Sequence, residues 1–195
     1  MTQLSSIGAG VFSDLSVNKP ATPPSFSTLD TAAEFQALYA TEIESVAGTP
    51  AANTFLRVKN VREFPAMGTP ANIVNVPIYG SKTSSQVQGQ ADAPSMEITI
   101  NYVATEWAAG TLLGDMVGDG AQHVFRFTLL NSEPTGSGAT KYASTAGGVG
   151  SVENSQYYWI GKIEALLVNP QLTDANTATV TITVQSKFFG SFTST

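Results

Sequence analysis

The chain of 195 residues contains no cysteine and a single histidine, and only 12% of its side chains carry charge. Each shortage excludes something. Without cysteine there is neither a disulfide framework nor a thiolate to act as metal ligand or nucleophile, so stability rests on packing and assembly. One histidine, His123, inside an apolar stretch and with no second imidazole, offers no zinc or triad constellation. Basic residues number nine against fifteen acidic, leaving a net charge of −6, and the one local basic group is Arg57, Lys59 and Arg62. Nucleic-acid binders need clustered cations to displace counterions from phosphate, so tight DNA binding is not expected. No apolar run approaches the length of a membrane span and no basic segment precedes the short apolar patch of MTQLSSIGAGVFSD, which predicts a soluble chain without a signal peptide. No Asn-x-Ser/Thr glycosylation site occurs. So small a charged fraction, half the usual quarter, points to surface covered by copies of the same chain.

Phosphate and cation chemistry also lack their motifs. Gly147-Gly148-Val149-Gly150 is followed by no Gly-Lys-Ser/Thr, and no GxGxxG links a strand to a helix. Asp115 and Asp119 sit among glycines without the ligand spacing of a calcium loop. No catalytic residue, cofactor or metal ligand is assigned, and the expectation is a protein that is not an enzyme.

What is present is β-patterning. Residues 1–28 mix Ser, Gly, Thr and the prolines Pro20, Pro23 and Pro24, which predicts an extended arm preceding a single domain over 29–195. Thr31-Ala-Ala-Glu34 forms a capping box, and Phe35, Leu38, Tyr39, Ile43 and Val46 follow at helical spacing up to Gly48, with Glu34, Gln36, Glu42 and Glu44 on the solvated face. Phe55 to Phe64 reads as a strand whose phase slips near Asn60-Val61, which suits a bulge. Asn72 to Tyr79 is a second strand, and Pro77 places it at an edge.

Gly80 to Ser95 is small and polar, a loop. At Met96 strict alternation begins, with Met96, Ile98, Ile100 and Tyr102 on one face and Glu97, Thr99 and Asn101 on the other. Thr105 then caps a helix from Glu106 to Val117 that carries Trp107, Leu113, Met116 and Val117. Gln122 to Leu130 reads as an inner strand, its Arg126 snorkelling or paired with a carboxylate. Ser132 to Ser155 is a glycine-rich surface loop, and Tyr157 to Val168 a long buried strand ended by Asn169-Pro170. Thr177 to Lys187 alternates cleanly, Ala178, Val180, Ile182 and Val184 against Thr177, Thr179, Thr181, Thr183 and Gln185. Phe188, Phe189 and Phe192 follow as core or interface anchors. The fold class is therefore mainly β, a β-sandwich or partial barrel with one or two short helices and long loops, oligomerising into a ring.

The phrase Gly89-Gln90-Ala91-Asp92, the alternating strand Met96–Tyr102 and the Trp107-containing helix, taken in that order, resemble the tail tube proteins of long-tailed bacteriophages, over roughly Phe55 to Phe189. The resemblance implies a virion protein, assembled in the bacterial cytoplasm, whose homohexameric rings stack into a tube that conducts DNA during ejection. It implies as partners further copies of the chain, the tail tip and tail terminator proteins, and a tape measure protein in the lumen, with DNA passing without tight binding and no membrane contact. It makes the Gly80–Ser95 loop an inter-ring loop, with Ser81, Lys82, Gln86, Gln88, Gln90 and Asp92 as candidates. The lumen candidates are Glu97, Thr99, Asn101, Thr179, Thr181 and Thr183, and those for the subunit interface are Pro77, Tyr79, Phe188, Phe189 and Phe192. Two other readings stand beside it. One is a host-facing β-domain of a fibre, decoration or receptor-binding protein, which would use Tyr157, Tyr158 and Trp159 if they line a groove. The other is the inner tube of a contractile tail or secretion system.

Overall fold

The computed structural model describes residues 13–18, 29–31, 34–35, 41–44, 54–68, 73–80, 82–88, 95–110, 113–129 and 155–190. The protein is mainly β, and its principal sheet is curled into a half-barrel. Its strands are β1 (Asp14–Asn18), β2 (Thr41–Glu44), β3 (Thr54–Arg57), β4 (Val61–Glu63), β7 (Ser95–Asn101), β8 (His123–Leu129), β9 (Ser155–Asn169), β10 (Thr177–Val184) and β11 (Phe189–Gly190). They lie in the order β2-β3-β1-β8-β9-β10-β7-β4, with β11 added to β9. All neighbours are antiparallel except β2 and β3. Strands β5 (Ile73–Val76) and β6 (Ser85–Gln88) form a separate hairpin.

The curl follows from connectivity. β3 is second from one end of the sheet and β4 closes the other, yet only Val58, Lys59 and Asn60 join them. Six strand spacings in a flat sheet would separate them by about 29 Å, whereas three linking residues reach roughly 14 Å. The sheet therefore has to bend its ends together. Asn60 makes the corner with a φ of 60°, a left-handed conformation that Asn tolerates better than most residues. Its carbonyl accepts the Asn101 amide at 2.8 Å. The phase slip expected inside one Phe55–Phe64 strand is in fact the break between two strands.

The concave interior holds Leu15, Val17, Leu56, Met96, Ile98, Ile100, Phe125, Phe127, Trp159, Ile163 and the apolar row of β10. Alternation in β7 and β10 is as the pattern requires, with burial switching residue by residue. Gly161 allows β9 and β10 to close on this core, because a Cβ there would stand 2.7 Å from the Thr183 carbonyl oxygen and 3.3 Å from the Phe125 ring. A smaller cluster of Leu29, Phe35, Val124, Tyr158, Ile160 and Phe189 covers the opposite face. There Phe35 stacks on Tyr158 at 5.5 Å and meets Phe189 at 5.1 Å.

Several expectations are corrected. The arm expected over residues 1–28 contains β1, a fully buried strand between β3 and β8, because Leu15 and Val17 face the core while Asp14, Ser16 and Asn18 find cover on the other side. The capping box forms, with the Thr31 amide donating to Glu34 Oε2 at 3.1 Å and the Glu34 amide to Thr31 Oγ1 at 3.4 Å. The helix it opens does not run to Gly48, since Thr41–Glu44 pairs with β3 as a strand; Glu42 and Glu44 therefore do not share a helical face with Glu34. The helix expected over 106–117 is a single turn, α1 (Ala104–Trp107), followed by a 3-10 turn at Gly114–Met116. Val103, not Thr105, is its N-cap residue. Gly114 sits so close to the backbone of Trp107 and Ala108 that any Cβ would overlap it, a fold-back no continuous helix permits. Trp107, Leu113 and Met116 are buried all the same. Arg126 is buried, not snorkelling. The loop expected over 132–155 lies outside the described residues up to 154, and Ser155 opens β9.

Candidate functional site

Two surfaces bring the sequence-predicted residues together. The first is the outer face of β7 and β10. Because side chains alternate along both strands, burying the aliphatic rows sends Thr177, Thr179, Thr181 and Thr183 to the same side as Ser95, Glu97, Thr99 and Asn101. The register sets Thr177 beside Asn101, Thr179 beside Thr99, Thr181 beside Glu97 and Thr183 beside Ser95. All six lumen candidates share this face. On its flanks Glu63 of β4 lies beside Thr99, and Lys162, Ala165 and Leu167 of β9 lie beside Thr183, Thr181 and Thr179. The Thr183 hydroxyl donates to the Glu164 carboxylate. A field of hydroxyls and amides in which Glu97, Glu63 and Glu164 outnumber Lys162 is well hydrated and gives a polyanion little cationic anchorage.

The second surface is the β5–β6 hairpin, whose strand β6 takes Ser85–Gln88 out of the predicted Gly80–Ser95 loop; residues 89–94 of that loop lie outside the described residues. Val74 pairs with Val87 and Val76 with Ser85, so Val74, Val76 and Val87 form an apolar ladder on one side of a two-stranded ribbon. Val74, Val76, Ile78, Tyr79 and Val87 are all exposed, Tyr79 completely. Among the described elements each strand of the hairpin packs substantially only on the other. β5 is an edge strand of this two-stranded ribbon, as expected, but it ends at Val76, and Pro77 leads into the turn beside Tyr79 and Gly80. Lys82 and Gln86 are exposed, and Gln88 ends β6. Ser81, Gln90 and Asp92 lie outside the described residues. The apolar ladder escaped the sequence reading, although the period-two run Val74, Val76, Ile78 and the lone Val87 in a polar stretch were its signal.

Two of the three terminal aromatics lie in the chain's own interior. Phe188 is in the main core and Phe189 in the smaller cluster, so neither is an interface residue; Phe192 lies outside the described residues. Tyr158 and Trp159 are buried too, Trp159 stacking on Phe125 with centroids 5.4 Å apart. The groove imagined for Tyr157–Trp159 does not exist as such. Tyr157 alone of the three reaches the surface, where it joins Ser13, Phe64, Pro65, Met67, Phe127 and Leu129 around an apolar cleft of about 330 Å³. Burial pushes its hydroxyl pKa up from the ordinary 10.0.

The titratable groups hold structure together. His123 Nε2 lies 3.2 Å from both carboxylate oxygens of Asp119, and Asp119 also accepts the Ala121 amide, which pins the turn entering β8. Asp115 accepts the Gly110 amide at 2.8 Å. Arg57 of the basic group is engaged by Asp14 at 2.6 Å, and with Arg62 it borders a polar cleft of about 300 Å³. Among the described residues no three His, Asp or Glu side chains are placed to hold a metal ion, and no helix is long and apolar enough to cross a membrane. No protein-family model matches the chain, and no curated protein matches it.

Proposed function

We propose that the chain is a structural subunit that assembles with copies of itself into stacked rings, forming a tube of the kind built by the tail tube proteins of long-tailed bacteriophages. The observation that carries this reading is the β5–β6 hairpin. A two-stranded hairpin is at best marginally stable in water, and this one exposes an apolar ladder that the described residues leave uncovered. Such a device serves a chain whose missing contacts come from its neighbours. A sparsely charged surface and an acidic net charge fit the same role.

In this reading the hairpin, which carries Lys82 and Gln86, reaches to the adjoining ring. The hydroxylated face of β7 and β10 lines the channel, where Glu97 repels phosphate and the threonines hold water, so that DNA passes without sticking. The tail tip, tail terminator and tape measure proteins would meet the tube at its ends and in its lumen, in a virion tail. The inner tube of a contractile tail or secretion system uses the same geometry. A host-facing binding module loses its main support with the burial of Tyr158 and Trp159.

Negative-stain electron microscopy of the purified protein over a concentration series tests the proposal. Hollow stacked rings are expected at high concentration. Compact monomers or trimers throughout, including after addition of preformed tube fragments as seeds, overturn it.

A further inference from the structure

The hairpin tip presents Ile78 and a wholly exposed Tyr79. Elsewhere on the same subunit Phe64, Met67, Phe127, Leu129 and Tyr157 surround an open apolar cleft of about 330 Å³. A void of about 150 Å³ accommodates a benzene ring, so the cleft has room for a phenol ring and part of a neighbouring aliphatic chain. Its walls are aromatic: Phe64 meets Phe127 edge-on at 4.9 Å, and Phe127 lies 6.4 Å from Tyr157.

We infer that Tyr79 at the hairpin tip of one copy seats in the Phe64–Met67–Leu129–Tyr157 cleft of a second copy. The inference rests on the self-assembly proposed above and names the surface that the hairpin engages. Knob and pocket are different parts of one subunit, so every copy carries one of each, and the contact repeats head to tail into a closed ring or an open stack. The area is sufficient. Tyr79 brings roughly 200 Å², and with Val74, Val76, Ile78 and Val87 the hairpin's contribution rises to several hundred Å², on the scale of the ~800 Å² per partner of a specific interface. Charge favours this approach as well. Lys82 is the one ionic side chain in residues 73–88 of a chain carrying −6, so the hairpin meets a second copy without the like-charge repulsion that opposes contact between two acidic bodies.

The absence of native cysteine makes the test clean. Ile78→Cys and Leu129→Cys, both at exposed positions, are introduced in separate chains of different tag mass, mixed under assembling conditions and treated with a short bismaleimide. The expected product is the mixed cross-linked dimer, at least tenfold above the homodimer from either variant alone. Tyr79→Ala is expected to raise the protein concentration needed for assembly at least tenfold, and Tyr79→Phe to leave it within about twofold, in keeping with a buried aromatic anchor. Assembled particles that give no mixed dimer overturn the contact while the tube reading stands. A protein that stays monomeric at every concentration overturns both. Blocked reactivity of the Leu129→Cys thiol in monomers would place an occupant from the same chain in the cleft and would also overturn the inference.

Discussion

Arg57 donates its Nε–H to Asp14 Oδ1 across 2.6 Å, tying β3 to β1 on the side of the sheet away from the main core. Asp14 is buried, and its other carboxylate oxygen accepts the Ser16 hydroxyl at 2.9 Å. Removing Asp14 leaves the half-buried Arg57 without its counter-charge and the buried Ser16 hydroxyl without this acceptor. Asp14→Ala is expected to lower unfolding free energy by about 2–3 kcal/mol, measured by urea titration. Asp14→Asn, which retains an acceptor, should cost less. Equal stability of Asp14→Ala and the parent would mean that the pair adds nothing.

β1 also decides what the N-terminus tolerates. Deleting residues 1–12 should leave a cooperative thermal transition, whereas deleting residues 1–18 removes a central strand and with it Leu15 and Val17 from the core. The second truncation is expected to yield no cooperative transition by circular dichroism. A folded product would show that β3 and β8 pair directly.

Gly161 is where β9, β10 and Phe125 meet most tightly. Gly161→Ala forces a methyl group against the Thr183 carbonyl, and overpacking of this kind costs about 1–3 kcal/mol. A denaturant midpoint unchanged from the parent would show that the strands separate freely.

Glu34 accepts the Asp30 amide at 3.0 Å, the Thr31 amide and the Thr31 side-chain contact. These bonds, the one to the Asp30 backbone foremost, hold its carboxyl below the ordinary value of 4.5. Because the folded-state pKa is depressed, the contribution to stability is present above pH 4.5 and is lost as pH falls through the folded value. Glu34→Gln should flatten that part of the acid limb. Superimposable acid limbs for the two proteins would remove Glu34 from the account.

Glu97→Lys bears on the proposed channel. Glu97 is exposed and opposite Thr181, so the fold should be unaffected, while a ring of introduced cations should slow DNA release from intact particles severalfold. Release kinetics equal to the parent would take Glu97 off the channel wall.

Strand periodicity was the most legible part of the chain. β7 and β10 announce themselves because a two-residue repeat is a local property and one side of each strand meets the core, while β8 and β9 show as apolar runs because both of their faces are covered. The failures were failures of tertiary context. Thr31 and Glu34 made the capping box, but Ile43 lies beside Leu56 in a parallel pair, so helical spacing lost to sheet pairing over Thr41–Glu44. Trp107 and Met116 fell on one side of a notional helix, yet the fold-back at Gly114 buries them without one. Phe188 and Phe189 illustrate the limit for sites. An aromatic pair near a terminus has the same composition whether it fills its own core or another subunit's, and only the two-sided sheet decided between them. The lumen candidates were legible as two separate strand faces, and pairing in register made them one surface.

The link Val58-Lys59-Asn60 is a ruler as well as a corner. Since it bounds the separation of β3 from β4, the length of this link limits how far the intervening strands can flatten. Lengthening the link by a few residues would let the arc relax, at the cost of contacts that β1, β3 and β7 share with β8, β9 and β10 in the main core. In an assembly that shares the curved sheet among its copies, bore would then change through one short insertion, which gives such a chain a simple route to a wider or narrower conduit.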